Sequence, residues 1–77
     1  MARSTTVQIA ADMVAGVLEV AVEVGAAVEV GDEVALLESM KMEIPVIADT
    51  AGVVTAIKVG TGDVVQEGDV LVELRPA

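Results

Sequence analysis

Cysteine, histidine, phenylalanine, tyrosine and tryptophan are all missing from this chain of 77 residues. Each absence closes a route. No disulfide can staple the fold, and a structural zinc site loses its usual ligands. No large ring fills the interior. Basic residues are also scarce, at 4 against 13 acidic ones, for a net charge of −9. Phosphate neutralisation needs clustered Lys and Arg, so nucleic acid is an unsuitable partner, as is an anionic membrane surface. Acidity keeps an aliphatic sequence soluble and can steer it toward basic partners. The longest uncharged runs, Ser4 to Ala11 and Thr50 to Ile57, are eight residues each. A membrane helix needs roughly 18 apolar residues or more. A secretory signal needs a basic start and an apolar run of about 7–15 residues. Near the start only Arg3 is basic, and Gln8 and Asp12 interrupt the run. The expectation is a cytoplasmic protein.

What remains is aliphatic. Hydrophobic residues make up 55% of the chain, nearly all Val, Ala, Leu, Ile and Met. That composition suits a thin core lined by β-branched side chains better than a deep pocket. The length allows one domain, expected over 1–77 with its ordered core at about 7–74.

The dominant rhythm has period two. Val20, Val22 and Val24 alternate with Ala21 and Glu23; Val28 and Val30 flank Glu29; Val70, Val72 and Leu74 alternate with Leu71 and Glu73. Alternation of this kind predicts half-buried strands. Breaks containing glycine recur at Gly16, Gly25, Gly31-Asp32, Gly52, Gly60-Thr61-Gly62-Asp63 and Gly68-Asp69. Short strands between such turns predict a sandwich or barrel.

The chain also repeats itself. At a constant offset of 37, Gly25 falls on Gly62, Val28 on Val65, Gly31 on Gly68, Asp32 on Asp69 and Val34 on Leu71. Upstream, Gly16-Val17 falls on Gly52-Val53 with a shift of one. Two copies exclude a solenoid and predict two similar halves packed face to face. Gly-Asp pairs then make the turns, Gly supplying positive φ and Asp hydrogen-bonding nearby backbone. A closed sandwich leaves no long open edge, so a monomer is expected.

Between the halves runs Leu36-Leu37-Glu38-Ser39-Met40-Lys41-Met42-Glu43-Ile44-Pro45. Local rules leave two readings. Good helix formers at near-helical spacing predict a short helix ending before Pro45. A hairpin turning at Met40-Lys41 is the other, and it asks for positive φ at residues that resist it. Gly60-Thr61-Gly62 lacks the following Lys-Ser/Thr of a phosphate loop. The carboxylates have no calcium-loop spacing, and no acid pair is placed for hydrolysis.

Glu38-Ser39-Met40-Lys41-Met42 resembles the Glu-Ala-Met-Lys-Met signature of biotinyl domains. The resemblance runs from residue 7 to residue 74, with a Gly-Val entry, an Ala-Asp-x-x-Gly-Val stretch at Ala48 to Val53, and a closing Gly-Asp-x-Val-x-x-Gly-Asp. The string Glu-Ser-Met-Lys-Met-Glu-Ile-Pro is similar to that of the small stand-alone biotin/lipoyl attachment proteins of bacteria. The family implies an all-β fold, a flattened barrel-sandwich of two four-stranded antiparallel sheets with a pseudo-two-fold axis. It places the modified lysine on the hairpin joining the halves, which is Lys41. Two departures stand out. Ser39 replaces the usual Ala, and Ala11-Asp12-Met13-Val14-Ala15-Gly16 stands where the family often has Ala-Pro-Met-Pro-Gly.

The resemblance implies a carrier rather than an enzyme. Biotin would be held covalently on Lys41, with Met40, Met42, Ser39 and Glu38 beside it. Its partners would be a biotin protein ligase, a biotin carboxylase and a carboxyltransferase, the last passing the carboxyl group to an acyl-CoA or keto acid. A solvated alkylamine is protonated at neutral pH and the chain has no His to act as base, so the ligase must take the proton. Met40 and Met42 suit adaptable contacts with the carboxylase subunits. Glu38 and Glu43 serve as solvated strand charges or touch the ligase. Lipoate is the alternative group, or the chain accepts both groups as the small stand-alone proteins it resembles can, although lipoyl domains typically have Asp before the lysine and a small residue after it. A binding module with an unmodified lysine is the reading from another class.

Overall fold

Short strands follow the β-branched runs; Gly25, Gly31, Gly60, Gly62 and Gly68 fall between strands as expected, whereas Gly16 and Gly52 lie inside strands and are not breaks. The computed structural model describes residues 6–77. In chain order the strands are β1 (Val7–Ala10), β2 (Ala15–Val20), β3 (Ala27–Val28), β4 (Glu33–Ser39), β5 (Met42–Ile47), β6 (Gly52–Ile57), β7 (Val64–Val65) and β8 (Val70–Pro76). They form two four-stranded sheets, β1-β8-β6-β3 and β5-β4-β2-β7. Every pairing is antiparallel. No helix of the described residues is long and apolar enough to cross a membrane.

An advance of 37 residues carries β2 onto β6, β3 onto β7 and β4 onto β8, end to end, and exchanges the two sheets. Each half therefore contributes strands to both sheets, so the halves interlock, which corrects the expectation of two copies packed face to face. The backbone bonds obey the same operation: Ala11 N–H donates to Asp69 C=O at 2.8 Å, and Ala48 N–H to Asp32 C=O at 2.8 Å. The inner faces meet over a core of Ala, Val, Leu and Ile, with Val17, Val34, Leu37, Val54, Val65, Leu71, Val72 and Leu74 at its centre. Among the described residues no polar side chain is buried there.

The Gly-Asp turns take the expected form. Gly31, Gly62 and Gly68 have φ of 96°, 95° and 92°. Asp32 Oδ2 accepts the Glu29 N–H at 2.9 Å, Asp69 Oδ2 the Gln66 N–H at 2.9 Å, and Asp63 Oδ2 the Gly60 N–H at 2.8 Å. Each carboxylate closes its turn by satisfying a backbone donor three residues earlier. Asp69→Ala is expected to cost about 1 kcal/mol, the net value of one hydrogen bond. A lowered urea midpoint with an unchanged m-value would show it.

Three further expectations need correction. The alternation across Val20, Val22 and Val24 is not one strand, because β2 ends at Val20. Residues 21–26 carry the chain from one sheet to the other, and the ladder stops where Ala21 N–H meets Val34 C=O. Val24 and Val30 are left 62% and 66% exposed. In β8, Leu71 does not share an outer face with Glu73. The β1 partners step from Val72 to Val70, so Leu71 is the extra residue of a bulge and lies buried beside Val72. The upstream shift of one is also wrong. The bulge between Val17 and Glu19 matches that between Val54 and Ala56, which places Ala15 on Gly52 and Gly16 on Val53 at the constant offset of 37.

Candidate functional site

The chain between the halves is a hairpin, not a helix. Strands β4 and β5 pair Leu36 with Pro45, Leu37 with Ile44, Glu38 with Glu43 and Ser39 with Met42. Leu37 is buried while Met40 is 91% exposed, so the supposed helical stripe has no common face. Pro45 fits because β5 is an edge strand, where a missing N–H interrupts no ladder.

Register leaves two residues for the turn, Met40 and Lys41. Their φ values are 54° and 65°, and no other non-Gly residue among those described has positive φ. Two left-handed residues in a two-residue loop make a type I′ turn, whose twist matches the strands it joins. Asn-Gly would adopt it freely, whereas Met and Lys each cost on the order of 1 kcal/mol. Local strain at this point displays two long side chains at the tip of the hairpin. Met40→Asn, which suits the left-handed region, is expected to stabilise the fold by up to about 1 kcal/mol, read as a rise in Tm.

The residues singled out in the sequence are brought together here. Lys41 is exposed at the turn, and Met42 is 65% exposed. Ser39 is half-buried opposite Met42. Glu38 and Glu43 face each other across the ladder, both exposed. Like charges directly opposite repel, at about 0.2–1 kcal/mol. Together they put negative charge on the ladder behind the turn, which attracts a basic protein surface. Sequence reading named both acids but missed that they are cross-strand neighbours, since this depends on the register the turn sets.

The chain matches, over residues 5–74, the biotin/lipoyl family described as "Biotin-requiring enzyme". It belongs to the biotin/lipoyl attachment family. It is 54% identical over 61 residues to the biotinylated protein TB7.3 homolog of Mycobacterium leprae, covering 79% of this chain and 86% of that protein. It is 53% identical over 62 residues to the biotin/lipoyl attachment protein of Bacillus subtilis, covering 80% and 85%. Among solved structures, a single-chain, multi-domain long-chain acyl-CoA carboxylase superposes with a TM-score of 0.91 at 27% identity, over all of this chain and 8% of that one. Two four-stranded antiparallel sheets are the architecture the resemblance implied. The chain is a biotin/lipoyl attachment domain, homologous to the carrier domains of carboxylases.

Proposed function

We propose that Lys41 is the attachment residue and that the chain carries biotin for a carboxylase. The observation that carries this reading is the strained type I′ turn, which spends stability to put one primary amine at the tip of a hairpin. The exposed amine fits the group: an acyl chain reaching it meets no wall, and both strands behind it are anchored in the second sheet.

A biotin protein ligase would present the biotinyl carbonyl as an acyl-adenylate. Lys41 Nζ attacks that carbonyl, a C–N bond forms as the acyl C–O bond to phosphate breaks, AMP leaves, and the amine proton passes to a base of the ligase. This chain's part is presentation. The hairpin holds Nζ away from the body so that the ligase can enclose it, and Met40 and Met42 offer mobile apolar contacts on either side. Bound biotin would supply the ring that accepts and releases the carboxyl group, first at a biotin carboxylase and then at a carboxyltransferase. Because the carrier is tethered to its cofactor, each docking raises the ring's local concentration at the site it visits.

Lipoate is the second reading, favoured by the Bacillus subtilis relative, whose name includes both groups. Methionine on both sides of Lys41 favours biotin. Parallel reactions with ATP and either a biotin or a lipoate ligase, read as intact mass, decide between them. One biotinyl increment with the biotin ligase is expected. A lipoyl increment alone would replace the cofactor in this reading, and no increment from either ligase would sink it.

A further inference from the structure

The pseudo-two-fold provides an internal control, because each outer face can be compared with its counterpart. On the second sheet, one row of neighbours runs Glu43, Glu38, Gly16, Val64. The next runs Pro45, Leu36, Glu19, with Leu18 as the bulge residue between the rows. At the offset of 37 the matching positions of the first sheet are Arg75, Val53 and Ala27, then Glu73 and Ala56, with Thr55 in the bulge. The first sheet's face is polar and balanced. Gln8 Nε2 donates to Glu73 Oε2 at 3.1 Å, and Thr55 Oγ1 donates to Glu73 C=O at 3.2 Å. Among the described residues of these rows it carries one Arg and one Glu, where the second sheet's face carries three Glu and no base.

Gly16 marks the centre of the difference. Its φ is not in the positive range, and a Cβ built on it meets nothing within 4 Å. Neither the backbone nor packing asks for glycine, and the equivalent position holds Val53. The result is a dent in the sheet, walled by Val64 at 73% exposure on one side and Glu38 on the other, with Leu18 at 37% nearby. A glycine inside a strand often marks a bulge, and one lies at Leu18, or a place where a ligand or another backbone approaches closely. The dent lies on β2 beside Glu38, two residues from Met40.

We infer that this face of the second sheet, centred on Gly16, is where the ligase that modifies Lys41 grips the domain, with an aliphatic side chain in the dent and Lys or Arg opposite Glu19, Glu38 and Glu43. The inference rests on Lys41 being the acceptor. The choice of ligase follows from the chemistry. Its bond forms on Lys41 itself, before any arm exists, so it must recognise the protein surface nearest the turn. A carboxylase subunit can grip the ring at the end of the arm instead. A second copy of this chain is a poor occupant, since three carboxylates would face three.

The test is steady-state biotinylation of the full chain by a purified biotin protein ligase, with the chain as varied substrate. Gly16→Val fills the dent with the residue of the opposite sheet, and space and strand conformation permit it. Ala27→Val makes a comparable addition on the other face. Gly16→Val should raise KM about tenfold with kcat nearly unchanged, the signature of lost uniform binding. Ala27→Val should leave both constants alone. Glu19→Gln should raise KM less and flatten its salt dependence. An unchanged KM in Gly16→Val, or an equal rise in Ala27→Val, overturns the inference while leaving the attachment reading intact. Failure of the wild-type chain to be modified removes both.

Discussion

Lys41→Arg is expected to abolish modification completely while leaving the fold unchanged. Arginine keeps the positive charge and much of the length, but its guanidinium stays protonated and cannot act as the amine nucleophile. The turn has no other lysine. Lys58, the other lysine among the described residues, follows β6 and donates its N–H to Leu71 C=O, so it is tied into the first sheet rather than held on a hairpin. Intact mass after incubation with ATP, biotin and ligase should show one biotinyl increment in the wild type and none in the variant. Because Lys41 is exposed and arginine tolerates the turn about as well, Tm should move by no more than about 2–4 °C, equivalent to about 0.5 kcal/mol in a domain of this size. An increment retained in the variant would move the acceptor to Lys58 and refute the hairpin reading. An increment lost together with the folded state would leave presentation and stability entangled, which the Tm measurement separates.

Much of this is legible in the sequence alone. The repeat at an offset of 37 predicts the pseudo-two-fold because interior packing and turn chemistry repeat where structure repeats: Gly31-Asp32 and Gly68-Asp69 make the same hydrogen-bonded turn. The site was legible through its motif, not through local physics. Local rules at Leu36 to Pro45 leave a helix and a hairpin both open, and only the resemblance decides for the hairpin. Tertiary pairing overrides propensity in this stretch, since Leu37 fills the core opposite Ile44 and the turn strain at Met40-Lys41 is absorbed by the ladder behind it. What the period-two pattern could not reveal is where strands bulge or change sheets. Val34-Ala35 and Leu71-Val72 are adjacent pairs, all four at 0% exposure, and strict alternation forbids both members of such a pair from facing one core. A bulge permits it.

The Gly16 and Gly52 pair tests how far such a sequence alignment can be trusted. Both precede valine at the opening of a strand, and matching them looks natural. Their physical roles are opposite. A Cβ at Gly52 would run into the backbone carbonyl of Arg75 and approach Pro76 Cα at 3.1 Å. That neighbouring backbone cannot step aside, because Ala77 N–H donating to Ala51 C=O at 3.1 Å holds the two strands together at that end. Gly52→Ala is therefore expected to destabilise by about 3 kcal/mol, the upper range for an overpacked interior. In a domain of this size that lowers Tm by roughly 12–24 °C. Gly16→Ala meets open space and sheds the conformational entropy of glycine, so it should stabilise by about 0.5–1 kcal/mol. Thermal unfolding followed by circular dichroism reads both, and equal effects in the two variants would show that the glycines are equivalent after all. Gly52 pairs with Val28 and Pro76 in the first sheet, whereas Lys41 is carried by the second. At temperatures below its lowered Tm, Gly52→Ala should thus still accept one group at Lys41, because the strain it introduces lies in a sheet that does not build the turn.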